Sequence, residues 1–475
     1  MKNRLPFILL LVILFSTTQS IKAQYVTIPD ANFRSYLTSN FSSCMNGSGQ
    51  LDTTCSSILN TKILYLTNQK IHNLSGIQYF KSLTNLYCGD SLTNLPALPA
   101  SLTYLDCSGN QLTSLPALPA SLTTLYCYEN SLTDLPVLPA SLTALYCYEN
   151  SLTNLPALPT SLTTLDCDQN QLTSLPALPT SLTTLECGEN QLTSLPALPA
   201  SLTTLECWGD QLTSLPALPA SLTSLMCRTN QLTNLPALPA SLTFLDCGYN
   251  QLTSLHALPA SLNELDCFNN QLTSLPALPA SLEKLYCSNN ELTSLPTLPS
   301  LTGLGCNSNQ LSILPALPAS LTILYCDTNN LQCLPLLPER LIVLFACGNF
   351  IKCIPNLPPS LTAYTNSITY TDTTYQICSD TNICPTQQAT GTITRNSSTD
   401  LILAPNPSMG MVQLVSSQLN YADVVIINAQ GNTVFSENAV NLSSATLDLS
   451  SLAKGLYFVQ INSGQSILTK KLVLE

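Results

Sequence analysis

Charged residues and histidines are scarce in this chain. Of its 475 residues only 9% are charged, and the two histidines, His72 and His256, stand alone in unrelated parts of the sequence. Neither histidine belongs to a Ser-His-Asp or Cys-His arrangement, and there is no glycine-rich phosphate loop or dinucleotide fingerprint. A glycosidase with two carboxylates would rest on acidic side chains alone. The sequence therefore predicts a protein that is not an enzyme and has no cofactor.

Cations are scarcer than anions. The net charge is −12, and between Lys81 and Lys284 there are fifteen carboxylates and a single cation, Arg228. Nucleic-acid affinity comes from lysines and arginines that neutralise phosphates. The sequence therefore excludes nucleic acid as a partner, and the same argument excludes an anionic membrane surface.

Long apolar segments are absent beyond the N-terminus. Lys2 and Arg4 precede an apolar run at residues 5–15, and polar residues follow as far as Ala23. This pattern predicts a secretory signal peptide at residues 1–23. A transmembrane helix needs about 20 apolar residues, which no segment provides. We therefore expect an exported protein without a transmembrane segment in its mature form.

A 20-residue unit recurs along most of the chain with the pattern LxxLxCxxNxLxxLPxLPxS, as in residues 101–120, SLTYLDCSGNQLTSLPALPA. Leu105 and Cys107 alternate with Asp106, which is the side-chain period of a β-strand. The two prolines of each unit exclude a helix on the return segment and favour extended or polyproline II backbone. The pattern thus predicts one short strand per repeat.

These repeats resemble the leucine-rich-repeat family, and the LPxLP return in a 20-residue unit is similar to the short bacterial subclass found in secreted effector proteins. The resemblance covers residues 63–366, or 15 repeats, of which the first is a longer capping variant. It implies a solenoid: a leucine-rich-repeat horseshoe with a parallel β-sheet on the concave side and polyproline II backbone on the convex side. Residues 24–62 lack the repeat and are predicted to form an N-terminal cap with a short helix ending near Leu37.

From residue 401 the sequence changes to short alternating runs separated by Gly and Asn turns, which predict a small all-β sandwich. Its motifs are APNP at 404–407, VVIIN at 424–428, LSSLAKGLY at 449–457 and KKLV at 470–473. They resemble the C-terminal sorting domain of type IX secretion substrates. The resemblance implies that residues 401–475 engage the type IX secretion machinery for export through the periplasm and outer membrane. Residues 367–400, rich in Thr, Ser and Asn, are predicted to be a cap remnant and linker.

Thirteen of the 20 cysteines occupy one repeat position, from Cys88 to Cys326. Equivalent residues of adjacent parallel strands lie about 4.8 Å apart and point the same way, whereas a disulfide needs converging Cβ atoms about 3.8 Å apart. We therefore predict a ladder of free buried thiols and no metal site. In an exported protein the N-terminal pair Cys44 and Cys55 is predicted to form a disulfide. Five further cysteines near the C-terminus leave at least one without a partner among them.

The asparagine that follows each strand, such as Asn110, is predicted to point inward and to bond the backbone of the turn, because a buried amide needs partners. Asp210 replaces it in one repeat and is expected to make the same backbone bonds.

Variation between repeats is concentrated at the outward strand positions and at the residues after each strand, where specificity can reside. The side chains there are acidic in the middle of the array and aromatic towards its ends, and they should point out of the sheet, where the carboxylates can steer a ligand. We predict a ligand-binding concave face formed by Tyr104, Asp106, Tyr126, Tyr128, Tyr146, Tyr148, Asp166, Asp168, Glu186, Glu206, Trp208, Arg228, Phe244, Asp246, Asp266, Phe268 and Tyr286.

Two ligand classes fit this face. Aromatic residues dominate binding at protein interfaces, and acidic residues suit a basic partner. The sequence therefore predicts a secreted or surface-attached protein that binds an extracellular protein or peptide. Aromatics that stack on sugars would instead make a glycan-binding module. A spacer without a ligand, in which aromatics cover leucines and carboxylates maintain solubility, remains a further alternative.

Overall fold

The computed structural model describes residues 24–89, 91–351, 353–356, 358–362, 376–377, 401–404, 411–416, 421–428, 433–441, 445–462 and 467–474. The predicted signal peptide and, apart from residues 376–377, the predicted linker lie outside these ranges. The chain divides into two compact units, Met1–Gln171 and Leu172–Glu475. Among the described residues, no helix has the length and apolar character needed to cross a membrane.

The first unit begins with a cap. Its elements are β1 (Tyr25–Thr27), α1 (Ala31–Asn40), a 3-10 turn (Ser42–Cys44), β2 (Gln50–Asp52) and α2 (Ser56–Asn60), and β1 pairs antiparallel with β2. The Asp30 carboxylate starts α1 by accepting a hydrogen bond from Phe33 N at 2.8 Å. The helix ends three residues beyond Leu37. Phe33 and Leu37 are both fully buried, and a disulfide joins Cys44 to Cys55, the pair that the sequence favours.

Parallel strands of three residues follow the cap. In the first unit they are β3 (Ile63–Tyr65), β4 (Asn85–Tyr87), β5 (Tyr104–Asp106), β6 (Thr124–Tyr126), β7 (Ala144–Tyr146) and β8 (Thr164–Asp166), with a 3-10 turn at Ile77–Tyr79 between β3 and β4. In the second unit they are β9 (Thr184–Glu186), β10 (Thr204–Glu206), β11 (Ser224–Met226), β12 (Phe244–Asp246), β13 (Glu264–Asp266), β14 (Lys284–Tyr286), β15 (Gly303–Gly305), β16 (Ile323–Tyr325) and β17 (Val343–Phe345).

Within each unit these strands pair in exact repeat register, so that leucine stands beside leucine, as in Leu105 beside Leu125. The central leucine of every strand is at most 3% exposed. The two strand residues on either side of it point to the opposite face, because side chains alternate along a strand. Between β4 and β17, the described residues of the return segments form no helix or strand, as expected from the LPxLP prolines.

A ladder of asparagines joins each turn to its neighbours. Asn130 Nδ2 donates to the carbonyl oxygens of Cys107, Cys127 and Tyr128 at 3.0, 3.2 and 3.1 Å, and its Oδ1 accepts from Leu112 N at 3.0 Å. The prediction that these amides point inward to the backbone is confirmed. Each amide thus satisfies backbone groups of two adjacent repeats that would otherwise be buried without partners.

Asp210 departs from this ladder. Its Oδ1 accepts from Leu192 N at 2.9 Å, but its Oδ2 is buried without a hydrogen-bond partner in the described chain. The prediction that Asp210 makes the same backbone bonds as asparagine is therefore confirmed for the bond that Oδ1 accepts and wrong for the bonds that the amide nitrogen donates. A carboxylate has no N–H group to donate to the turn carbonyls.

The cysteines form a second ladder inside the repeats. All thirteen are free and at most 2% exposed, which confirms the prediction of buried free thiols. The Cys107 thiol donates to the carbonyl oxygen of Tyr126 at 3.4 Å. Burial raises the pKa of the ladder thiols, that of Cys287 to about 12. Cys333 and Cys353 are also disulfide-bonded, whereas Cys347 is free.

Among the described residues from 353 onward, the second unit contains one short helix and otherwise strands. These elements are β18 (Cys353–Ile354), α3 (Pro359–Thr362), β19 (Gln376–Ile377), β20 (Leu401–Ala404), β21 (Met411–Ser416), β22 (Tyr421–Asn428), β23 (Thr433–Asn441), β24 (Ala445–Asp448), β25 (Gly455–Asn462) and β26 (Ile467–Leu474). An antiparallel sheet of order β20-β21-β24 and another of order β23-β22-β25-β26 share one core, to which Val412 and Leu414 contribute from the first and Val424 and Val459 from the second. This is the predicted sandwich.

We predict that the ladder thiols react slowly in the native protein. A thiol reacts when it is ionised to the thiolate and accessible to the reagent, and burial opposes both ionisation and access. Labelling with a water-soluble thiol reagent should reveal about thirteen additional reactive groups on denaturation. Equal labelling of native and denatured protein would contradict the ladder.

We further predict that Leu145→Ala destabilises the repeats by about 2–5 kcal/mol, because the leucine is fully buried and its truncation leaves a cavity. The matched control is Val137→Ala, at a return-segment residue that is 86% exposed. Chemical denaturation of the two variants should differ clearly, and an equal effect would contradict the inward orientation of the strand leucine.

Candidate functional site: the outer face of the strands

The first and third residues of each strand, and the residue two positions after it, form what we call the outer face. All seventeen predicted site residues occupy these positions. Eight of them, from Tyr104 to Asp168, lie in the first unit and nine, from Glu186 to Tyr286, in the second. The in-register pairing brings equivalent side chains of neighbouring repeats together within each unit.

A row of tyrosine rings in contact with one another lies on the outer face of the first unit, with two pairs stacked and two tilted. Ring centroids are 4.7 Å apart between Tyr65 and Tyr87, 5.0 Å between Tyr87 and Tyr104, 5.5 Å between Tyr104 and Tyr126, and 4.4 Å between Tyr126 and Tyr146. The last pair is parallel to within 1°. The predicted site omits Tyr65 and Tyr87, although their position at the third strand residue of the first two repeats was a usable signal.

Two more tyrosines complete this group. Tyr128 stacks on Tyr148 at 4.3 Å and meets Tyr126 edge to face at 6.4 Å. We call the seven residues the tyrosine stack. Burial, followed by neighbouring tyrosines, raises the pKa of Tyr104 and Tyr148 well above the usual value, so their hydroxyls stay protonated at physiological pH. These two residues therefore offer neutral phenol hydroxyls, which both donate and accept hydrogen bonds.

The acidic residues beside the stack are tied to their own turns. Asp106 accepts hydrogen bonds from the Ser108 hydroxyl at 2.6 Å and from Ser108 N at 3.1 Å. Asp166 accepts from Asp168 N at 3.3 Å and is only 8% exposed. Asp166 therefore occupies the outer face as predicted but is largely covered, with its carboxylate bonded to its own turn. Its role in steering a ligand stays a prediction.

In the second unit Arg228 lies at the centre of the acidic part of the outer face. Its guanidinium lies 5.2 Å from the centroid of the Trp208 ring, and its Nε is 3.8 Å from Asp246 Oδ2. Asp246 is 3% exposed and accepts from Gly248 N at 3.0 Å. Asp246 is therefore on the outer face but covered, held between Arg228 and its own turn, and its role in steering a ligand stays a prediction.

Asp266 occupies the equivalent position beside Asp246. Burial, and then the nearby carboxylates Asp246 and Glu264, raise the pKa of Asp266 to about 7, against the opposing effect of Lys284 and Arg228. Its Oδ1 accepts no hydrogen bond within the described residues. Asp266 therefore changes charge near neutral pH.

Three aromatic residues of this unit lie against glycines of adjacent repeats. A Cβ atom on Gly188 would come within 2.8 Å of Trp208 Nε1, and one on Gly248 would come within 2.9 Å of the Phe268 ring. Tyr286 lies across β15 in the same way, with 2.8 Å between its Cδ1 and a Cβ built on Gly305. Glycine in one repeat thus makes room for an aromatic side chain in an adjacent repeat.

The remaining predicted residues Glu186, Glu206 and Phe244 are half-buried on the same face. Sequence reasoning missed Tyr249, which is 54% exposed and meets Phe268 edge to face at 5.2 Å. It also missed the ion pair of Lys284 Nζ with Glu264 Oε2 at 2.9 Å. The arrangement can bind through aromatic edges, hydroxyls and carboxylates.

Comparison with known proteins places this fold in a family. A family model described as Leucine Rich Repeat matches residues 101–120, and one described as Secretion system C-terminal sorting domain matches residues 403–475. A comparison with curated proteins found no match.

Among solved structures, YopM from Yersinia enterocolitica is 39% identical, with a TM-score of 0.58 over 62% of this chain and 71% of that one. YopM from Yersinia pestis, a leucine-rich effector protein, is 34% identical, with a TM-score of 0.60 over 69% and 96%. The functional domain of InlJ from Listeria monocytogenes, which includes a cysteine ladder, is 23% identical, with a TM-score of 0.57 over 96% and 100%, and shows the fold alone.

These matches confirm the predicted solenoid of parallel strands and the predicted all-β C-terminal domain. The sorting domain indicates type IX secretion to the cell surface or beyond, which confirms the predicted localisation. The chain belongs to the leucine-rich-repeat family and carries a type IX C-terminal sorting domain.

Proposed function

We propose that this protein binds an extracellular protein or peptide through the outer face of its repeat strands. The observation that carries the proposal is the tyrosine stack. Seven neighbouring phenol rings, ordered by one another, lose little conformational entropy on binding, and tyrosine is enriched where protein interfaces are strongest. Leucine-rich repeats typically act as binding scaffolds, which agrees with a role without catalysis.

The orientation of the rings favours a polypeptide over a glycan. A sugar stacks on an open aromatic face, but Tyr126 is stacked on Tyr146 and is also contacted by the tilted ring of Tyr104 at 5.5 Å. The Trp208 ring is likewise contacted by Arg228. What these residues offer a ligand is ring edges and hydroxyl groups, which suit the backbone and side chains of a polypeptide.

The charge of the outer face favours a basic partner. Of the fifteen carboxylates among residues 82–283, eight lie at outer-face positions: Asp106, Asp166, Asp168, Glu186, Glu206, Asp246, Glu264 and Asp266. The nearby cations are already engaged, Arg228 close to Trp208 and Asp246, and Lys284 with Glu264. Complementary charge raises the association rate and rejects acidic competitors. A lysine- or arginine-containing segment is therefore the ligand chemistry that we propose.

The proposed route to the outside uses both ends of the chain. Residues 1–23 would carry the protein into the periplasm and be removed, residues 24–62 would cap the repeats, and residues 367–400 would link them to the sorting domain. The matched sorting domain then provides transfer across the outer membrane.

Binding can be tested with an array of lysine- and arginine-rich peptides and a glycan array probed with the same protein. For a peptide so identified, Tyr126→Ala or Tyr148→Ala should cost over about 2 kcal/mol, or about 30-fold in Kd, as for a buried aromatic anchor. Glu206→Gln should mainly slow association and weaken its salt dependence. Val137→Ser, on the exposed return segment, is the control that should leave Kd unchanged.

The same measurement has a defined pH dependence. Because the pKa of Asp266 is raised to about 7, its carboxyl is neutral below that value and available as an anion above it. Binding of a basic peptide should therefore weaken as the pH falls from 8 to 6, and this part of the change should be absent in Asp266→Asn. Selective glycan binding, or tyrosine variants with unchanged Kd, would contradict the proposal.

Export is tested by deleting residues 401–475 in the producing cell. The repeats should then accumulate in the periplasm, because the segment that engages the secretion machinery is missing. Immunodetection in periplasmic and external fractions provides the measurement. Normal external amounts of the truncated chain would exclude the proposed export route.

A further inference from the structure

The buried carboxyl of Asp210 occupies the ladder position at which the neighbouring repeats have the amide of asparagine. On one side of it, Asn190 Nδ2 donates to the carbonyl oxygens of Cys187 and Gly188 at 3.1 and 3.0 Å. On the other side, Asn230 Nδ2 donates to those of Cys227 and Arg228 at 3.2 and 3.3 Å. By the same repeat geometry, Asp210 Oδ2 faces the carbonyl oxygens of Cys207 and Trp208, and no donor reaches it in the described chain.

An ionised carboxylate fits this position poorly. Asp210 is 8% exposed, and an unpaired oxygen anion that faces carbonyl oxygens in a water-poor site carries the full desolvation cost. A neutral carboxyl solves the problem, because its O–H group can donate to one turn carbonyl while Oδ1 keeps the bond from Leu192 N at 2.9 Å. The proton thus replaces one of the donor hydrogens that asparagine supplies in the other repeats.

We propose that Asp210 holds a proton in the folded protein and that loss of this proton loosens the turn that carries Trp208. The Trp208 carbonyl accepts from Glu189 N at 2.7 Å, and Gly209 N donates to the Arg228 carbonyl at 3.0 Å, so the turn is tied to both neighbouring repeats. Repulsion at Asp210 acts on these bonds directly. The inference does not depend on any ligand.

The groups around Asp210 leave burial as the dominant influence. Its ladder neighbours Asn190 and Asn230 are neutral. Glu189 packs at Gly209 on the preceding side, Arg228 follows on the other side, and the thiols of Cys187 and Cys207 are buried. Burial raises the pKa of Asp210 to about 7, and the backbone bonds from Leu192 and Asn190 offset only part of that rise.

The direction of the pH effect follows from linkage. An unfolded aspartate has a pKa of about 3.9, so the folded state binds the proton more tightly. The bound proton contributes its full stabilisation of the folded state below about pH 4. This contribution is lost as the pH rises to about 7, and above that pH the stability no longer depends on Asp210 ionisation. Asp210→Asn restores the amide and removes this dependence.

Trp208 is the only tryptophan in the chain, so its fluorescence reports on this turn. We expect the native protein to show a change in Trp208 emission centred near pH 7, and Asp210→Asn to lack it. Glu206→Gln, which removes a titrating carboxylate from the outer face, should retain the change. Persistence of the transition in Asp210→Asn, or its loss in Glu206→Gln, would overturn the assignment to Asp210.

Thermal unfolding gives an independent readout. The midpoint of Asp210→Asn should exceed that of the native sequence by a margin that grows between pH 4.5 and 7.5. Asn290→Asp, four repeats further along the ladder, should lower the midpoint with the same pH dependence and leave Trp208 emission unchanged. A constant margin overturns the bound proton. A growing margin without a change in emission overturns its coupling to the Trp208 turn.

Discussion

The structure depends on hydrogen bonds that join each turn to the equivalent turn of the adjacent repeat. The amide of Asn130 bonds Cys107 and Leu112 of the preceding repeat and Cys127 of its own repeat. The serine at the start of each unit also bonds back to the chain before it, since the Ser121 hydroxyl donates to the carbonyl oxygens of Ala100 and Leu102 at 2.8 and 2.6 Å. Such bonds require exact register, and the 20-residue period provides it. Leucine, cysteine and asparagine each lie beside their own kind for that reason.

This requirement explains why so much was predictable. Few residue types fit the inward positions, because a change of side-chain volume destabilises a packed core and a buried amide needs hydrogen-bond partners. The sequence therefore reveals strand position, thiol ladder and amide ladder directly. Outer-face side chains meet no such constraint, so their type is visible in the sequence while their contacts are not. The sequence pattern does not reveal the 1° alignment of Tyr126 on Tyr146 or the hydrogen bond from Gly248 N to Asp246, because both depend on the local arrangement of side chains.

Asp210 shows where pattern reasoning is most easily misled. Aspartate and asparagine have the same shape, and a position-by-position comparison of repeats treats the exchange as minor. They differ in the hydrogen-bonding role of one terminal atom, since the amide nitrogen of asparagine donates whereas the equivalent carboxylate oxygen of aspartate accepts. In water the difference is small. Inside a cage of carbonyl oxygens it decides whether the group can be charged.

A solenoid can contain such a local defect because each repeat contacts only its neighbours and stability is close to a sum over repeats. The same property allows a strained backbone at the residue before each ladder position. This residue has a positive φ even where it is not glycine, as in Glu129, Glu149 and Tyr249 at 50° each. A side chain in this conformation costs roughly 1 kcal/mol, and Gly109, Gly209 and Gly348 show that glycine also serves there. The cost is tolerated because the effect of a strained residue, or of a protonated Asp210, is confined to the adjacent repeats. Individual repeats are thereby free to differ in the chemistry that they present on the outer face while the register that builds the fold is kept.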